Sequence, residues 1–139
     1  MLRLIFIGMR LCGTSAAIMS LASILIAQET SVSVPPDEAW QYKGQEQKVC
    51  GQVVDTSYAT SIRDSPTYLY LDRPRPEQVF TVEIPPAKRE LFGDSPEKSL
   101  KGKAVCVTGR IEGDGADGTV DRKHRGRVVV QDEEQLTVR

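Results

Sequence analysis

The chain has one histidine, one tryptophan and three cysteines in 139 residues, and each scarcity narrows the chemistry on offer. His124 stands among Arg122, Lys123 and Arg125, a cationic setting that makes a poor general base, and no Ser or Cys motif surrounds a partner for it. A zinc site needs paired thiolates and imidazoles, and there is no CxxC pair here to start one. Positive charge is not in excess either. Of 18 Lys and Arg, only Arg3 and Arg10 fall in residues 1–27, leaving 16 against 19 Asp and Glu, a net charge of about −3 for the remainder. A chain of that balance is not held to a polyanion by its overall field. No break in composition divides the chain, so one modest core and one domain are expected.

What is present begins with an apolar leader. Residues 1–27 combine a basic start, an apolar run from Leu11 to Ala27 and no acidic residue, the pattern of a secretory signal peptide cleaved after Ala22 or Ala27. The same stretch is long enough to span a bilayer, so an uncleaved anchor is the alternative. Export implies a periplasmic or secreted protein, with no stable membrane association once the leader is removed. Residues 28–36 are polar, end in Pro35-Pro36 and read as a linker to a domain over residues 37–139.

The domain reads as short strands. Asp37 is placed to cap one or two helical turns through Trp40 and Tyr42, closed by Gly44. Strands follow over 48–56 and over 67–71, where Tyr68 and Tyr70 alternate with Leu69 and Leu71. The prolines of Arg73-Pro74-Arg75-Pro76 force a turn. A third strand, 79–84, puts Phe80, Val82 and Ile84 on one face, and a short helix over 87–92 ends at Gly93. Strands over 103–112 and 127–131 complete the set, with a short tail pairing at 136–138. Three strands, a helix and two strands make an all-β class with small α content. That is the order of a five-stranded OB-fold barrel with its helix between strands three and four, against an SH3-like barrel or an open α+β sheet.

A family resemblance rests on Val49-Cys50-Gly51-x-Val53, Pro66-Thr67-x-Leu69-x-Leu71-Asp72, Pro74-x-Pro76-x-Gln78-x-Phe80-Thr81-Val82, Phe92-Gly93, Pro96-Glu97 and Gly102-Lys103-x-Val105-Cys106-Val107-Thr108-Gly109. Over residues 39–136 the chain resembles small bacterial OB-fold modules, often exported, of a nucleic-acid-binding-like type, and departs from them in the loop from Gly113 to Arg127. In an OB barrel the first and fourth strands pair antiparallel, which sets Cys50 and Cys106 on matching outward sides, close enough for a disulfide. An oxidising compartment favours that bond, whereas in a reducing one both cysteines would pack as small hydrophobes.

The usual ligand surface of this fold lies around strands two and three. Tyr68 and Tyr70 project from one face of strand two as candidate stacking rings, and Tyr58, Arg63, Arg73 and Arg75 lie on connections that reach the same side. Beside prolines, Arg73 and Arg75 also read as solvated turn residues. The basic stretch Arg122 to Arg127, with Lys123, Arg125 and Arg127, and Arg110 across the hairpin, is a candidate phosphate contact. Asp114, Asp117 and Asp121 lack the spacing of a calcium loop. Asp55 and Glu97 distantly resemble positions in thermonuclease-like OB enzymes, without the rest of that constellation, so no enzyme activity and no cofactor or metal is expected. Two functions remain: binding of single-stranded nucleic acid or another polyanion, and an interaction module for a protein, small ligand or cation.

Overall fold

The computed structural model describes residues 32–61, 63–113 and 124–139. The expected leader, residues 28–31 of the expected linker and the three aspartates at 114, 117 and 121 lie outside them. No helix among the described residues is long and apolar enough to cross a membrane.

The fold is mostly β, one seven-stranded sheet curled into a barrel-like form with few helices. In chain order the strands are β1 Glu46–Tyr58, β2 Thr67–Leu71, β3 Phe80–Ile84, β4 Ala104–Arg110, β5 Glu112–Gly113, β6 Gly126–Val129 and β7 Leu136–Val138, arranged β5-β6-β3-β2-β1-β4-β7. Neighbours pair antiparallel except β3 and β6, which run parallel with Phe80 opposite Gly126. The inner face carries the apolar alternates: Val49, Val53, Leu69, Leu71, Phe80, Val82, Ile84, Val105, Val107, Ile111, Val128 and Val130 are fully buried. Burying these branched and aromatic side chains on one side of a pleated surface is what drives the sheet to curl.

β1 is the long element and serves two partners. Its first half pairs with β4, from Glu46 opposite Arg110 to Gln52 opposite Ala104. Its second half pairs with β2, and the register slips between Val53 and Asp55. A bulge adds one residue to a strand and so reverses which side faces the core. Val53 points inward opposite Leu71, and strict alternation would send Asp55 inward as well; the slip sets Asp55 opposite Tyr70 on the outer face.

Seven strands replace the expected five. The run anticipated over 103–112 breaks at Ile111, whose amide donates to Gln45 O at 2.9 Å while its carbonyl accepts from Gly44 N at 2.7 Å. Beyond that break Glu112–Gly113 changes partner and joins β6. The tail forms β7 on the outer edge of β4. The helix anticipated over 87–92 is a 3₁₀ segment, Pro86–Phe92, and a single α-turn, α1 Pro96–Ser99, stands where a plain loop was expected. One turn is too short to leave a periodic apolar pattern, so proline at its first position is its main sequence signal. The first helical segment is also 3₁₀, Pro36–Tyr42, with Pro35 at its N-cap. Asp37 therefore does not cap it and instead pairs with Arg73 at 3.2 Å.

Residues 32–36 pack against the sheet. Val34 N donates to Lys48 O at 2.8 Å, Cys50 N donates to Val34 O at 3.4 Å, and Val34 and Pro36 are buried. Because Cys50 spends its amide on Val34, its pairing with Cys106 is the non-hydrogen-bonded kind that brings side chains together. The two are joined as a disulfide across 56 residues of chain. Cross-linking a loop of that length removes up to about 4 kcal/mol worth of unfolded-state freedom. We therefore expect the guanidinium unfolding midpoint to fall sharply on adding dithiothreitol, and the Cys50→Ala/Cys106→Ala variant to match the reduced protein. Identical midpoints with and without reductant would contradict the cross-link.

Candidate functional site

The outer face of β1, β2, β3 and β6 carries a continuous polar row. Across the strands Asp55 faces Tyr70, Tyr70 faces Thr81 and Thr81 faces Arg127; one step along, Ser57 faces Tyr68, Tyr68 faces Glu83 and Glu83 faces Val129. Tyr68 and Tyr70 stack with ring centroids 6.5 Å apart and planes 27° from parallel. Tyr58, 40% exposed at the end of β1, lies opposite Thr67 and so on the other side of the sheet from this pair.

Guanidinium groups lie over two of these rings. The Arg75 carbon sits 5.2 Å from the Tyr70 centroid, and that of Arg89 lies 3.9 Å from the Tyr58 centroid. Cation and ring quadrupole attract, and the planar group is an apolar cover as well as a charge. With Arg75 and the β2–β3 connection above it, Tyr70 is only 7% exposed, so Tyr68 is the more accessible ring of the pair.

Arg75, Arg89 and Arg127 are each paired with a carboxylate. Arg75 binds Asp55 through Nε at 2.9 Å, and its amide and Nη2 reach the same carboxylate at 3.3 and 3.4 Å. Arg89 pairs with Glu97 at 2.7 Å, donates to Thr67 Oγ1 and reaches Asp94 O at 3.2 Å. It thereby ties the 3₁₀ segment Pro86–Phe92 to β2 and to α1. Arg127 lies between Glu83 at 3.0 Å and Glu112 at 3.3 Å. The charges of Arg75 and Arg127 on this face are thus matched locally.

The candidate residues divide accordingly. Tyr68, Tyr70 and Arg127 come together on the outer face; Tyr58, opposite Thr67, falls instead on the side of the inward alternates Thr56 and Leu69, at the end of the barrel under Arg89. Arg125 donates to Pro76 O at 3.0 Å and so braces the β2–β3 connection beside it. Arg73 turns away to Asp37, and Arg63 is exposed on the β1–β2 connection. Arg110 is remote: it borders an open groove of about 820 Å³ shared with Glu46, Asp132, Glu133 and Glu134, an acidic setting. Lys123 lies outside the described residues. Arg75, read from the sequence both as reaching this side and as a solvated turn residue, lies over Tyr70, and Arg89 is the addition. Arg89 sits in a segment read only as a helix, and nothing in Lys88-Arg89-Glu90 marks it. Asp55 and Glu97, noted as a distant echo of a nuclease pair, belong to two separate ion pairs. Among the described residues no group of three His, Cys, Asp or Glu converges as a metal site would require.

No protein-family model matches the chain, and no curated protein does. Among solved structures, the chain is similar to one described as an aspartyl-tRNA synthetase from Leishmania major Friedlin, with a TM-score of 0.50 and 9% identity over 89% of this chain and 23% of that one. Such identity carries likeness of fold alone, and this chain spans about a quarter of the other's length.

The Arg75 guanidinium, hydrogen-bonded to Asp55, holds that carboxyl below its usual value of 3.8; main-chain donors from Arg75 and Thr56 add to this, and partial burial opposes it. A lowered folded-state pKa contributes stability above the unfolded value and loses it as pH falls through the folded one. Asp55→Asn should cost about 1 kcal/mol at pH 7. The gap to the wild type should narrow as pH falls below 3.8 in pH-dependent thermal melts, whereas a gap that did not narrow would show that the loss does not come from the ionised pair.

Proposed function

We propose that the chain is an OB-fold binding module, exported by its leader, whose ligand is a single-stranded nucleic acid lying across the outer face of β1, β2 and β3. The observation that carries this reading is the aromatic pair on that face: Tyr68 stacked on Tyr70, with the Arg75 guanidinium over the Tyr70 ring. OB-folds hold single strands on this part of the barrel, and unpaired bases stack on tyrosine rings and on arginine planes alike. The strand order agrees. A three-stranded meander, a parallel β3–β6 pair and helical segments between β3 and β4 are the plan of an OB barrel, with β5 and β7 as additions at its rim.

The electrostatics set the character of the binding. With its arginines matched by carboxylates, the face gains little from releasing counterions, so affinity rests on stacking and depends weakly on salt. The same matching favours a second reading, a module for a protein or an uncharged ligand, which predicts no affinity for nucleic acid at all. Fluorescence anisotropy with a labelled single-stranded oligonucleotide at two salt concentrations separates the two. We expect binding with a shallow salt dependence, lost by about tenfold or more in Tyr68→Ala, since one base stack contributes about 1–3 kcal/mol. Absence of binding at low salt would remove nucleic acid as the ligand.

A further inference from the structure

Of the Arg75, Arg89 and Arg127 ion pairs, one is built differently from the others. Arg89 is deeply engaged: its side chain is 15% exposed, its partner Glu97 is 16% exposed, and it also holds Thr67 and the Asp94 carbonyl. It fastens helical segments to the sheet. Arg127 is 23% exposed and shared between two carboxylates. The Arg75 side chain, by contrast, is 46% exposed, and it reaches one carboxylate, that of Asp55.

The donors around that carboxylate form a cradle. Arg75 supplies Nε and Nη2 side by side, its own amide follows at 3.3 Å, and the Thr56 amide donates at 2.9 Å. Two adjacent guanidinium donors with main-chain amides beside them are the arrangement that receives a phosphate. The bulge in β1 is what places Asp55 there, since without it the side chain would face the core. The cradle also adjoins the aromatic pair, because Arg75 covers Tyr70 and Tyr70 stacks on Tyr68.

We propose that Arg75, with the amides of Thr56 and Arg75, is the phosphate-binding position of this face, and that Asp55 occupies it as an internal anion until a ligand phosphate displaces it. The inference rests on the nucleic-acid reading above and deepens it. The exchange replaces one oxyanion by another on the same donors, so no hydrogen bond is lost at Arg75, and the released carboxylate is solvated. Its cost is the competition itself. Asp55 stays ionised at neutral pH and lowers the affinity of any strand that does not also stack on Tyr68. Charge alone is thereby made insufficient, and a free anion or a rigid duplex is discriminated against.

The test is the affinity of the whole chain for a fluorescein-labelled oligothymidylate, in wild type, Asp55→Asn, Arg75→Gln and the double variant. Neutralising the internal competitor should tighten binding by about five- to tenfold at low salt, and steepen the salt dependence by about one phosphate. In the double variant the gain should vanish, which marks the effect as passing through Arg75. Inorganic phosphate provides a second readout: it should raise the melting temperature of Asp55→Asn and leave the wild type unmoved. This holds even for a variant that is less stable. If the wild type binds and Asp55→Asn binds no tighter, the internal-anion role of Asp55 is overturned while the stacking face stands. If neither binds the oligonucleotide, both fall together.

Discussion

The divided loyalty of β1 is the constraint on which the rest of the molecule depends. One strand of thirteen residues pairs with β4 through its first half and with β2 through its second, and so joins the two parts of the sheet. A flat strand could not do both. The register slip between Val53 and Asp55 lets it turn, at the price of one reversed alternation. The disulfide sits on the β4 side of that slip, and the Arg75–Asp55 pair on the β2 side. Covalent and electrostatic ties therefore flank the bend.

The same bend builds the outer surface. It brings Asp55 into the row with Tyr70 and sets Tyr58 at the mouth of the β1–β2 connection, where Arg89 covers its ring. The β2–β3 connection folds back over Tyr70, held by Arg75 from one side and by Arg125 from the other. A surface made this way is aromatic and well braced, with charges balanced in place. Its chemistry suits a ligand recognised through ring faces, with electrostatics as a local filter.

Strand positions were legible in the sequence where one face was continuously apolar. Phe80, Val82 and Ile84, or Val105 and Val107, announce a core face by alternation alone, and all are fully buried. The Cys50–Cys106 bond followed from pairing the first and fourth strands. Hidden from the sequence were features that alternation cannot encode. The bulge at Val53–Asp55 leaves no compositional mark, so Asp55 read as the end of a strand and Arg75 as a solvated turn. Ile111 has the side chain of a strand residue, yet its backbone bonds to Gly44 and Gln45 and splits the strand there. Seven strands among the described residues in place of five, and an Arg75–Asp55 pair where a solvated turn was read, both trace to such local backbone choices.

The central claim is that the tyrosine pair on the outer face of β1, β2 and β3 is where this chain meets its ligand. Amide chemical-shift mapping, with unlabelled single-stranded oligonucleotide titrated into the isotopically labelled protein, tests it most directly. The account predicts that the largest shifts fall on Asp55 to Tyr58, Tyr68, Tyr70, Arg75 and Glu83, with Thr108, Arg110 and Thr137 unmoved. Shifts gathered instead around Arg110 and the β4–β7 edge would place the ligand on the opposite part of the barrel and contradict it.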